Sequence, residues 1–123
     1  MTQEEQARAM IRAIYEDGEA EINGRVYRFT KMTHKQRRKV FAFYTSVARD
    51  VERNDFSFLD SDRFAAVEDV INKSVTYNDS LLSVLGDAHW EKYPDDYLQF
   101  IPTALGVISY PFLAGADTGS RSE

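Results

Sequence analysis

Ser80, Ser83, Asp87 and His89 stand close together in the chain, and they are the residue types of a nucleophile, a base and an orienting carboxylate. Such a set works only when a sharp turn exposes the serine and an oxyanion pocket faces it. No G-x-S-x-G turn surrounds either serine, and His89 next to Trp90 reads as a packed aromatic corner. Cysteine, the other common nucleophile, is absent, which also fits a reducing compartment. Metal chemistry has as little to stand on. His34 and His89 are far apart, and neither lies in an H-E-x-x-H pattern. Asp60, Asp62, Glu68 and Asp69, like the pair Asp95 and Asp96, lack the ordered spacing and mid-loop glycine of a calcium loop. Acidic residues at helix starts already have a structural reason to be there. The sequence offers no catalytic set, no metal ligands and no cofactor site, so the expected function is not enzymatic.

Charge is unevenly distributed. The net charge of −5 divides into −4 over residues 1–24, +7 over residues 25–53 and −8 over residues 54–123. The basic block holds Arg25, Arg28, Lys31, Lys35, Arg37, Arg38 and Lys39. A phosphate or nucleic-acid contact is one chemistry for it, with His34 beside a helix start. The acidic total argues against that, as does the lack of a zinc finger, an RNA-binding aromatic signature or a phosphate loop. Lys35, Arg37, Arg38 and Lys39 instead form a candidate charged contact surface, facing acidic regions of a partner or of a second copy.

The aromatic residues carry more information. Trp90, Tyr93, Tyr97, Phe100, Tyr110 and Phe112 gather in the last third, where charge is sparse after Asp96. A chain of 123 residues builds a single core. That core must also take Phe41, Phe43, Tyr44, Phe56, Phe58 and Phe64. Surplus rings at a surface anchor other proteins, and the six in the last third are the candidate protein-binding residues. Phe43, at the edge of its helix's apolar stripe, is expected to be exposed as well.

These side chains need a scaffold, and periodicity predicts a mainly α, single-domain protein over residues 1–115 with a flexible tail at 116–123. Apolar residues at Ala7, Met10, Ile11 and Ile14 mark a first helix over Gln3–Tyr15, capped by Thr2 and ended by Gly18. Asn23-Gly24 predicts a β-hairpin over residues 19–29 in a two-residue turn, with Ala20, Ile22, Tyr27 and Phe29 on one side and Glu19 opposite Arg28. A long helix follows from a Thr33 cap, with Gln36 completing a capping box, to about Arg53. A further helix begins at Asp60 or Ser61 and ends near Lys73, after a loop whose Phe56, Phe58 and Leu59 tuck back onto the core. Residues 74–93 read as one short helix between loops. Pro94 opens a last helix, which Pro102 should kink or interrupt. Tyr97–Gly115 carries no charge, but its prolines, Gly106 and missing basic flanks favour a buried or partner-facing element over a membrane span.

The stretches INGRVYRFTKMTHKQRRKVFAFY and HWEKYPDDYLQFIPTALGVISYPFLAG together resemble a tail assembly chaperone of long-tailed bacteriophages, closest to the version in lambdoid, HK97-like siphophages. The resemblance spans about Glu19–Gly115 and rests on overall texture, since that family has no compact motif. It implies a mostly helical protein of the host cytoplasm that binds the tape measure protein, keeps it soluble and helps recruit tail tube subunits. It further implies absence from the finished virion and, in many members, a longer form made by translational frameshifting, through which the tail tube protein is engaged. Self-association into dimers or rings is also expected from the charge asymmetry, and membrane and nucleic acid are not expected partners. A small regulatory or inhibitory protein-binding module is the alternative.

Overall fold

Thr2 caps the first helix. Its hydroxyl accepts the Glu5 amide at 3.1 Å, and α1 runs Gln3–Asp17 in this computed structural model, which describes residues 2–121, with residue 4 and residues 115–121 as backbone alone. Gly18 stops it in the left-handed region at φ 75°, where a side chain would be strained. Its amide closes on the Ile14 carbonyl at 2.8 Å.

Strands β1 (Glu19–Ile22) and β2 (Arg25–Phe29) follow without a break. Asn23 and Gly24 both take positive φ, and the pairing is Glu19 with Arg28, Ala20 with Tyr27, Glu21 with Val26 and Ile22 with Arg25, as the turn chemistry predicts. Glu19 and Arg28 meet at 3.0 Å on the solvent side. Ala20, Ile22 and Tyr27 are buried on the other.

Helix α2 (His34–Glu52) starts with the complete Thr33–Gln36 capping box. Its buried residues are Val40, Phe43 and Val47. Phe43 is therefore not an exposed ring. It meets Phe64 at 5.7 Å and Phe58 at 5.7 Å between centroids, because the short turn Ser57–Asp60 folds Phe58 back under the helix. Ser61 caps α3 (Asp62–Asn72), which buries Phe64, Val67 and Ile71.

Residues 74–93 differ most from expectation. Instead of a single short helix they form β3 (Val75–Tyr77), β4 (Ser80–Leu81), α4 (Leu82–Leu85) and α5 (Asp87–Lys92). Asn78 and Asp79 make a second two-residue left-handed turn, and β3 pairs antiparallel with β2 through Tyr27–Tyr77, Arg28–Thr76 and Phe29–Val75. The result is a four-stranded sheet in the order β1-β2-β3-β4. A lone hairpin is marginal in water, and the second one supplies the missing neighbour.

Helix α6 spans Pro94–Arg121. Pro102 does not interrupt it, and the helix also passes through Pro111. Leu98, whose carbonyl loses its donor at Pro102, lies on the exposed side of the helix, so water can take the orphaned oxygen. Near Pro111, Arg37 Nη1 donates to the Ile108 carbonyl at 3.1 Å. All six residues from Ala104 to Ser109 are buried, which means that this part of α6 is covered on every side. Its lack of charge follows from that burial. Pro94–Ala114 is long and apolar enough to cross a membrane by length and composition, with a mean hydropathy of 1.3; in this fold α1, α2 and the sheet pack around it. The fold is a small, mostly helical single domain with an N-terminal hairpin and sheet region. The expected tail at 116–123 lies outside the residues described with side chains.

Candidate functional site: a buried polar junction and two aromatic surfaces

Arg25 stands on the core face of β2 because the register places it opposite Ile22. A cation on a buried face requires a partner. Asp96, in the first turn of α6 and 0% exposed, supplies it through Nε–Oδ2 at 2.6 Å and Nη2–Oδ1 at 2.8 Å, a bidentate pair. Asn23 Nδ2 donates to Oδ1 at 2.8 Å, and the Tyr27 hydroxyl donates to Oδ2 at 2.7 Å. The same hydroxyl lies 2.7 Å from His89 Nε2. Since Tyr27 gives its proton to Asp96, His89 must donate from Nε2, which fixes the neutral tautomer. One network thus ties the first hairpin to α5 and α6.

The electrostatics follow from these bonds. Arg25, then Tyr27 and Asn23, hold the Asp96 carboxyl down to about 2 against the opposing effect of burial. Burial, with the hydrogen bond to Asp96, pushes the Tyr27 phenol well above its usual value. Burial lowers the His89 pKa, only partly opposed by Asp96. A buried anion, a neutral phenol and a neutral imidazole are poised to hold elements together. His89 Nε2 is committed to Tyr27, not to a serine. Ser80 and His89 line one shallow groove of about 310 Å³ with Tyr77 and Tyr93, whereas Ser83 is exposed on α4. Among the described residues, no three histidine, aspartate or glutamate side chains gather to hold a metal.

The six aromatic candidates divide into two groups. Phe100 is 0% exposed, and the other five are half-buried. Trp90 lies 5.1 Å from Tyr97 and 5.3 Å from Phe100, while Tyr93 carries the Arg25 guanidinium 4.0 Å over its ring. Tyr97 donates its hydroxyl to Glu68, and burial raises its pKa. Leu98, 48% exposed, points about 100° around the helix from Tyr97. Tyr110 and Phe112 are roughly 20 Å further along the helix axis. There Tyr110 meets Tyr15 at 5.0 Å, and Phe112 stacks on Phe41 at 4.8 Å and meets His34 at 5.6 Å.

The second group adjoins the basic end of α2. Lys35, Arg38 and Lys39 are exposed on α2; Arg38, four residues after His34, is on the side that meets Phe112, whereas Lys35 and Lys39 point away from it. Arg37 has a different environment: besides its bond to the Ile108 carbonyl, its guanidinium lies 5.5 Å from the Tyr15 ring centroid. Sequence reasoning missed the Arg25–Tyr27–His89–Asp96 network. The signal was present in the hairpin register, which already set Arg25 opposite Ile22. Comparison of the chain with protein-family models, with curated proteins and with solved structures finds no match.

Proposed function

We propose that the protein is a tail assembly chaperone of a long-tailed bacteriophage, binding the tape measure protein in the host cytoplasm and keeping it soluble while tail tube subunits are recruited. The chaperone leaves before the virion is complete, and a longer frameshifted form engages the tube subunit. The observation that carries this reading is two groups of half-buried rings, Trp90, Tyr93 and Tyr97 where α5 meets α6, and Tyr110 and Phe112 further along α6 beside His34 of α2. Half-buried rings on a rigid helix present apolar area at low entropic cost, which suits reversible shielding of a long amphipathic client. The sequence resemblance names that client, and the surfaces have the chemistry to hold it.

Co-expression with a candidate tape measure protein tests the proposal. A soluble complex that co-purifies, with the tape measure protein insoluble when expressed alone, is the expected result. A tape measure protein that stays insoluble in the presence of this chain overturns it, and so does recovery of this chain as a stoichiometric component of purified particles.

A further inference from the structure

Helix α1 is held differently from the rest of the fold. None of its described side chains is buried; Ile11 and Ile14 are half-buried, and Met10 is 53% exposed. By contrast α2 and α3 each bury three apolar residues. The face of α6 beneath α1 is nonetheless shaped for a helix. Gly106 lets α1 approach closely: a Cβ placed there would meet Ile11 Cδ1 at 3.2 Å and Cγ1 at 3.6 Å. Next to it, Tyr110 receives Tyr15. At the end of α1 a cleft of about 340 Å³ is left unfilled, lined by Tyr15 and Glu16 of α1 itself and by Met32, Val107, Lys31 and Arg37 beneath it. A good receptor surface is thus covered by a thin, partly fitting helix.

We propose that α1 is a displaceable cover, and that the α6 face around Gly106 and Tyr110 with the adjoining cleft receives an amphipathic helix of the client. This rests on the reading of the chain as a binder of helical clients and specifies where the client sits. The position of α1 states the geometry of the occupant: apolar residues at i, i+3 and i+4, as at Ile11, Ile14 and Tyr15. The cleft states its charge. Lys31 and Arg37 line it together with Glu16 of α1, so a client helix that takes the place of α1 carries an acidic residue where Glu16 stands. A larger apolar side chain at the position of Tyr15 would fill the cleft that α1 leaves open. Elements with few buried contacts open at low free energy, which makes α1 the segment able to give way.

The chain has no cysteine, so a single engineered pair can lock the cover. Ile11→Cys with Gly106→Cys places two thiols at a contact where the new cysteine at 11 also removes the Cδ1 atom that would crowd position 106. Circular dichroism of the reduced and oxidised double variant checks that both fold. The reduced variant sets its own baseline, since a cysteine at position 106 lies on the receiving face, and oxidation of that same variant should lower its affinity for the tape measure protein at least tenfold. In the unmodified chain, capture should speed amide exchange in α1 by at least tenfold. Equal capture by the oxidised and reduced forms overturns the inference while leaving the chaperone reading intact. Failure of the unmodified chain to capture the tape measure protein overturns that reading and takes this inference with it. A reduced variant whose mass doubles without client, with the doubling lost on oxidation, overturns the inference in favour of an exchange of α1 between two copies.

Discussion

Arg25 and Asp96 form a bidentate ion pair, at 2.6 and 2.8 Å, that fastens the first hairpin to the opening turn of the last helix. The carboxylate is wholly buried, and its other bonds come from Asn23 and Tyr27. Breaking a buried pair leaves an uncompensated group, so its loss is costly even though forming it gains little over an apolar substitute. Tyr27→Phe should lower unfolding free energy by about 1–3 kcal/mol, because it strips one bond from the carboxylate and one from His89. Asp96→Asn should cost more than Tyr27→Phe. Urea denaturation of the two variants checks the order; a neutral Asp96→Asn would mean that the pair contributes nothing.

Acid should destabilise the fold in two stages. Burial lowers the His89 pKa from its ordinary 6.5, so the unfolded chain binds a proton that the folded chain refuses. Stability therefore falls as pH drops below about 6.5. Asp96 is shifted from 3.8 to about 2, so its contribution is complete above 3.8 and is lost as pH falls through about 2. Urea midpoints measured from pH 8 to pH 2 should show both limbs. His89→Gln should flatten the upper limb and leave the lower one.

The second hairpin turn carries avoidable strain. Asp79 sits at φ 66° and Asn78 at φ 51°, dihedrals that an aspartate tolerates less well than glycine. Asp79→Gly should therefore stabilise the protein by roughly 0.5–1 kcal/mol, despite the added freedom of the unfolded chain. Thermal denaturation gives the sign; a lower midpoint would show that the aspartate side chain holds the turn.

Charge reversal on α2 should separate contact from folding. Lys35→Glu, Arg38→Glu and Lys39→Glu change exposed residues, so the triple variant should keep stability within about 1 kcal/mol of the parent. Its self-association or client binding, and the salt sensitivity of either, should fall. Arg37 is left out because it donates to the Ile108 carbonyl and its loss would confound the reading. Light scattering at low and high salt measures the first effect. A variant that associates as the parent does would remove the basic surface from any contact role.

Much of the scaffold was legible because it rests on local chemistry. Thr2, Thr33 and Ser61 cap the helices expected of them, and Asn23-Gly24 sets a hairpin register correct at every pair. What escaped was long-range. Val75–Leu81 is too short to show a period, and its strands exist because β2 offers an edge. Pro102 alone cannot show whether a helix continues; the packing of α6 carries it through without interruption. Phe43 looked marginal on a helical wheel, yet Phe58 and Phe64 close over it from elements far away in the chain. The polar junction joins Asn23, Arg25 and Tyr27 to His89 and Asp96, and nothing local at Asp96 distinguishes it from an ordinary first-turn acid.

The enclosed middle of α6 sets the timetable of biosynthesis. Ala104 to Ser109 form the rod around which the earlier helices assemble, yet they emerge from the ribosome after nearly everything that wraps them. Until they arrive, Val40, Phe64 and Ile71 have no permanent shelter, so the nascent chain stays open and sticky for most of its translation. A stalled ribosome that still holds residues 104–109 inside its exit tunnel should carry a chain that proteases digest readily, and one in which an added C-terminal linker has brought them clear of the tunnel a chain that resists them.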